Sequence, residues 1–503
     1  MKNISHRITR VICALLALML TAFVFASCSD GNTPSAQTKT EPTAATETSA
    51  TTGEISRENT PDKLPANIDL GGETVTIYSR NGYTKNFTAE DLTEEIMNDA
   101  VYNRQLKVEE RLKVKIQVVE NGSAEEVASK VKIAAQSNSD ECDIAALRNY
   151  ESYGLITNKI FYNYYENQYI DLTAPWWSQA LINASTVGKD RIYVLMGDID
   201  SSFISCIQAV FFNKGIYEKY IGNPDELYQT VIDRKWTVDK LIEVSKMVHD
   251  DVNGNGTKDK EDVYGYGASP CANQSASVNG VKIAYSAFNA DGYPEMVFNN
   301  SHTVDAVKKL YDALWNNEGA YVTAGTQAGL DELTDKFKNE TLMLYNMSVS
   351  SLGTYREMNT DYTVLPMPML DEDQGEYCTQ VSDGADGISV LVSCPDYDRA
   401  CITLEALAAE GYRSVTYKYY ETALKKAYAR DDKVAQMLDI LSNTVYFDFM
   451  FLHGSLFSNI GNFVPTKLLS KDAAGFGSEY DKIKDVYQKT LDGLLKFYQT
   501  GEE

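Results

Sequence analysis

Between Asp251 and Asp262 the chain reads DVNGNGTKDKED, with oxygen-bearing side chains at loop positions 1, 3, 5, 9 and 12 and glycine at position 6. That spacing wraps a chain around a hard cation, as in an EF-hand calcium loop. Asp251, Asn253, Asn255, Asp259 and Asp262 offer side-chain oxygens, Thr257 offers its backbone carbonyl, and Gly256 permits the sharp turn. Asp262 stands where such loops carry a bidentate glutamate, and YGYG from Tyr264 interrupts the helix that would follow. The expectation is a structural Ca2+ that stiffens its lobe and does not touch a ligand. The alternative is a polar Asn-Gly turn without metal.

No other stretch declares a reaction. His6, His249, His302 and His453 stand in no metal or nucleophile pattern, and the chain contains no G-x-S-x-G, H-E-x-x-H or P-loop sequence. With 71 Asp and Glu residues, a pair of carboxylates of the kind glycosidases use is no signal by itself. The aromatics tell more: 33 tyrosines, and the doublet Trp176-Trp177 behind Pro175. Flat aromatic faces stack on sugar rings, so these two tryptophans are candidate ligand contacts, while most of the tyrosines are expected to pack cores. Cys142, Cys206, Cys271, Cys378, Cys394 and Cys401 form no C-x-x-C pair and read as buried thiols, a disulfide being permitted outside the cytoplasm.

At the N-terminus Lys2, Arg7 and Arg10 precede an apolar run from Val11 to Phe25, then Ala26, Ser27 and Cys28. A basic start, an apolar middle and a small-residue cleavage site make a signal peptide, 1–27. The run is shorter than a bilayer-spanning helix needs. Cys28 directly after the cleavage site is similar to the lipobox of bacterial lipoproteins, with Phe25 where leucine is usual. Two acyl chains on Cys28 would hold the protein at the outer face of the cell membrane. Ser, Thr, Ala, Pro and Glu dominate 28–66, too poor in apolar surface to fold, and this segment is expected to be a stalk. The formal charge of −25 makes nucleic acid an unsuitable partner.

The elements that must position any site begin near Gly71. ETVTIYS, VKIQVV and CDIAAL read as strands separated by the helical stretches EEIMNDAVYNRQLKVEERL and AEEVASKVKIAAQ, which is the β-α-β order of a parallel sheet. AVFFNKGIYEKY is an apolar strand running into a helix; Thr237 reads as an N-cap with Trp236 stapled to Leu241. DKFKNETLMLYNMS is a helix followed by a strand, YTVLPMPML and DGISVLVS are further strands, and from Arg399 the chain is helical. The expected division is a first lobe at 67–208 and 345–398 and a helix-rich second lobe at 209–344 and 399–503.

DAVYNRQLKVEERLKVKI, TAPWWSQ, AVFFNKGIYEKY, RKWTVDKLIEVSKMVHDDVNGNGTKDKEDVYGYG and FKNETLMLYNMS, in that order, resemble the family 1 extracellular solute-binding lipoproteins of ABC transporters, the sugar-binding type. The resemblance covers nearly the whole chain after the stalk. It implies two α/β lobes of the periplasmic-binding-protein kind around a cleft, with hinge crossings near 209–213 and 344–348. It also implies a monomer that captures a small solute, most readily a sugar or oligosaccharide, and delivers it to an ABC permease without catalysis. Residues at strand ends facing the cleft would contact the solute: Arg148, Asn149, Trp176, Trp177, Asp198, Asp200, Asn346 and Asp383. A secreted carbohydrate-active enzyme and a surface scaffold stay open as other classes. A dockerin-like scaffold needs two calcium loops, and the sequence has one.

Overall fold

The computed structural model describes residues 56–269, 272–355, 357–419, 432–469 and 475–500. The expected signal peptide, Cys28, most of the stalk and Cys271 lie outside the described residues. Among the described residues no helix is long and apolar enough to cross a membrane.

The first sheet has the order β13-β3-β1-β2, built from β1 (Thr74–Ser79), β2 (Lys115–Glu120), β3 (Ile144–Arg148) and β13 (Asp386–Val390). β1 runs parallel to β2 and β3, and β13 returns antiparallel with Ile388 opposite Ala146. Val75, Ile77 and Ser79 are buried and alternate with half-buried neighbours, the period-two signature of a strand with two unlike faces. The helices Ile96–Leu112 and Ala124–Gln136 make the crossovers. The second of them starts at a capping box in which Ser123 and Glu126 each accept the other's backbone N–H.

The second sheet runs β11-β4-β10-β6-β5, with β9 also on β6. Its strands are β4 (Gln208–Asn213), β5 (His249–Asp250), β6 (Val263–Ala268), β9 (Ala320–Val322), β10 (Leu342–Ser348) and β11 (Tyr362–Leu365). All residues of β4 and β6 are buried, which is why β4 reads in sequence as an apolar stretch without alternation. Thr237 caps the helix Val238–Lys246, accepting the Lys240 N–H at 3.3 Å, and Trp236 shares a core with Leu241 while its indole donates to Pro366 O. A small hairpin, β7 (Ser286–Phe288) with β8 (Pro294–Met296), and a short parallel pair, β12 (Thr379–Gln380) with β14 (Val445–Tyr446), complete the strands.

The chain passes from the first sheet to the second at Cys206–Gln208 and back at Val381–Ala385. These two crossings are laced together, since Ile207 bridges Val381 and the Ser382 N–H donates to Cys206 O at 3.0 Å, and the residue after β10 joins them, the Val349 N–H donating to Ile207 O at 2.8 Å. The expected hinges at 209–213 and 344–348 are therefore corrected. Those residues pair antiparallel with each other in the middle of the second sheet, Leu344 opposite Phe212. The lobe division changes as well. Tyr362–Leu365 belongs to the second sheet, beside β4. The helix Tyr397–Glu410, expected in the second lobe, lies on the first, where Leu404, Leu407 and Ala408 share a core with Val75, Ile77, Val108 and Leu112.

Candidate functional site

A cavity of about 200 Å3 opens where the lobes and both crossings meet. The first lobe contributes Arg148 at the end of β3 and Tyr150 in the first turn of the helix Asn149–Gly154. The crossings contribute Gln208, Ser382, Asp383 and Gly384, and β12 contributes Gln380. The second lobe contributes Ser275 and the stretch holding Phe451, Asn459, Gly461 and Asn462. Larger hollows of about 580 and 630 Å3 occur elsewhere, and neither is lined by residues of the crossings.

Local sequence explains how these side chains are held. Asp448 caps the short helix Phe449–Leu452 by accepting the Phe451 N–H at 3.0 Å, and its other oxygen takes the N–H groups of Tyr285 and Ser286 at 3.0 and 2.9 Å. This buried carboxylate thereby fixes the element that carries Phe451 to the β7 hairpin. Gly461 lies so close to the Phe451 ring that an added Cβ would stand 2.6 Å from it. Across the cavity Gln380 and Ser275 exchange hydrogen bonds near 3.0 Å. The Gln208 amide nitrogen donates to Cys206 O at 3.4 Å, while its Oε1 is buried without a partner.

Arg148 is already engaged. Its Nε donates to Glu151 Oε2 at 2.7 Å, Nη2 donates to Glu151 Oε1, and Nη2 also reaches Glu125 at 3.0 Å. Its guanidinium is held above the ordinary range first by that bidentate bond. Burial pushes the Asp383 carboxyl up, against the pull of Arg148. Under the floor lies a buried trio: Arg80 donates to Gly384 O at 2.5 Å, pairs with Asp386 at 2.8 Å and stacks on Tyr83 at 3.6 Å. Asp386 and Asp200 are both pushed up, by burial first, with each other's charge adding to Asp386. Two buried carboxyls near each other cannot both ionise at low cost, which is the physical reason that both are pushed up.

Of the residues that the sequence proposed for ligand contact, the cavity brings together Arg148 and Asp383. Asn149 is buried behind Arg148 with its backbone N–H on Ala385 O, and Asp200 sits in the trio below. Asn346 is buried in β10, donating to Ser277 at 2.7 Å. Asp198 is removed from the cavity lining: it pairs with Arg57 at 3.5 Å and burial pushes it up to about 6. Trp176 and Trp177 are corrections. They are 2% and 1% exposed in the first-lobe core, and both indole N–H groups donate to the Glu405 carboxylate, at 3.1 and 2.9 Å. Glu405 lies in the helix that the sequence had placed in the other lobe, so the acceptor that holds the rings inward was hidden. Sequence reading missed Tyr150, Gln208, Gln380 and Phe451. A polar residue opening the apolar run QAVFFN was the one signal for Gln208.

The loop 251–262 links β5 to β6, with Gly254 and Gly256 at φ 67 and 72. Asn253 and Asn255 turn their amide nitrogens to Asp259, at 3.0 and 2.6 Å, and Asp251 accepts the Gly256 N–H. Among the described residues no three His, Cys, Asp or Glu side chains converge as a metal cage. Asp262 is fully buried, and its Oδ1 has no partner.

Two sheets joined by laced crossings, with a polar cavity at the junction, define a two-lobed binding protein. The family model of the bacterial extracellular solute-binding proteins matches residues 102–428, and the chain belongs to that family. The fold is shared with a cyclo/maltodextrin-binding protein complexed with maltotetraose (TM-score 0.54, 14% identity, covering 86% of this chain and 98% of that one). It is shared likewise with an ABC transporter solute-binding protein from Thermotoga lettingae bound with α-D-tagatose (0.52, 16%, 83% and 100%). A third similar structure is an ABC substrate-binding protein from Listeria monocytogenes in complex with cycloalternan (0.50, 15%, 83% and 99%). No curated protein matches the chain in sequence. The family and these structures are binding proteins.

Proposed function

We propose that the cavity between the lobes captures a sugar or short oligosaccharide and that the protein hands it, unchanged, to an ABC permease. The observation that carries this reading is the cavity's makeup. Amides, hydroxyls and two aromatic rings arrive from both lobes and both crossings, so a ligand touching all of them holds the lobes together. In this reading the protein acts as a monomer, tethered outside the cell through a lipid on Cys28, which the basic, apolar and small-residue order before that cysteine supports. Calcium fills the loop 251–262 once Asn253 and Asn255 turn their carbonyl oxygens inward. The buried Oδ1 of Asp262, which lacks a partner, supports that assignment.

The test is a thermal-shift screen of the protein from Ser56 onward against mono- and oligosaccharides, amino acids and short peptides. A ligand at a hundred times its Kd adds about 2.7 kcal/mol of stability. A shift given by sugars, with the sugar recovered intact, is the expected result. Recovery of a cleaved sugar would put the carbohydrate-active enzyme in its place, and a shift given by amino acids or peptides alone would end the sugar assignment.

A further inference from the structure

We infer that the cavity selects neutral, hydroxyl-rich glycans and rejects their acidic counterparts, an inference that rests on the sugar-binding reading above. Among the fifteen described lining residues two are of charged type, Arg148 and Asp383. A uronate, sulfate or phosphate on a sugar needs a free cation or a cluster of unspent donors at its binding site. Among the described lining residues Arg148 is the one cation, and two of its three nitrogens are spent: Glu151 takes Nε and Nη2 and Glu125 takes Nη2 as well, which leaves Nη1. Arg148 with those two carboxylates carries a net charge of about −1 by formal count, and Asp383 lies in the same lining.

The uncommitted polar atoms point the same way. Gln208 Oε1 is buried in the lining without a hydrogen-bond partner, and Asp383 offers carboxylate oxygens. Both accept and neither donates, so both require a ligand that brings hydrogens. A sugar hydroxyl donates; a carboxylate or sulfate oxygen at the same place leaves Gln208 Oε1 unsatisfied and meets the net negative charge of Arg148 with Glu125 and Glu151. The amides of Asn459 and Asn462 both donate and accept, which matches hydroxyl groups and adds no charge. Tyr150 from one lobe and Phe451 from the other supply rings for the apolar faces of a pyranose.

The test compares matched pairs by calorimetry: maltotetraose, cellotetraose and a galactose disaccharide, each against the same glycan with C6 of its non-reducing ring oxidised to the uronic acid, at pH 7. Every neutral glycan that binds is expected to bind at least tenfold more tightly than its oxidised partner. The double variant E125Q/E151Q, checked for native melting, frees Arg148 and is expected to bring the oxidised glycan at least tenfold closer to its neutral partner. Equal or tighter binding of the oxidised glycan by the native protein overturns the inference and leaves the sugar-binding reading standing. If no glycan of either kind binds while another solute class does, the sugar-binding reading falls and takes the inference with it.

Discussion

Glu405 shows how one side chain decides what its neighbours do. Two indoles that would make a sugar platform on a surface are turned inward because a buried carboxylate accepts both of their N–H groups. Burial pushes Glu405 up to about 7, with the indoles pulling it down. Replacing it with Gln leaves one oxygen for two donors, and one indole N–H loses its acceptor. A buried donor left unpaired costs about 1–3 kcal/mol. Near pH 6 Glu405 holds its proton, and its hydroxyl oxygen can still accept the second indole N–H where a Gln amide nitrogen cannot, so E405Q is expected to lower the urea-unfolding free energy by up to that amount; unchanged stability would remove Glu405 from this role. The doublet itself was legible in the sequence, its burial was not: Trp176 and its acceptor are separated by more than two hundred residues, and no local pattern connects them.

At the scale of elements, the strands and helices were legible because each carries its own periodicity and caps. β1 alternates, β4 carries an apolar run, and Thr237 marks a helix start, whereas β6 went unread because YGYG looks only like the break of a helix. Membership of a lobe is set by pairing across long stretches of chain, which periodicity does not encode. Hence QAVFFN and LMLYNMS were recognised as strands and misplaced as hinges. The loop 251–262 gives a prediction at this scale. If calcium binds there, millimolar Ca2+ raises the melting temperature and chelator reverses the gain, since ligand at a hundredfold excess over Kd adds about 2.7 kcal/mol. D262A is expected to abolish the calcium response, because it removes the buried oxygen at loop position 12. A native protein whose melting ignores calcium, with no calcium bound at equilibrium dialysis, returns the loop to a polar turn closed by Asn253, Asn255 and Asp259.

Across the whole molecule, the lobes are held together beside the cavity by aromatic packing. Tyr193 of the first lobe meets Phe497 and Tyr498 of the last helix at 5.8 Å, and Tyr153 meets the edge of His453 at 4.7 Å. His453 is fully buried; Nδ1 donates to Phe449 O at 2.8 Å and Nε2 accepts the Tyr498 hydroxyl at 3.1 Å. Burial pushes it down to about 3. The unfolded chain takes up this proton near pH 6.5 while the native protein does not, so the His453 contribution is intact above about pH 6.5 and is lost as pH falls toward 3. Glu405 works in the opposite sense: the native protein holds its proton up to about pH 7 and the unfolded chain releases it near 4.3, so its contribution declines as pH rises between those values. Between pH 4.5 and 6.5 the two slopes oppose each other within one cooperative unit. Unfolding free energies across that window are then expected to change slope in opposite directions in two variants. H453Q, lacking the titration that makes stability rise with pH, should tilt the curve downward toward pH 6.5; E405Q, lacking the one that makes it fall, should tilt it upward. Parallel curves for the two variants and the native protein would mean that neither group titrates differently on folding, and the lobe junction would then owe its pH response to other groups.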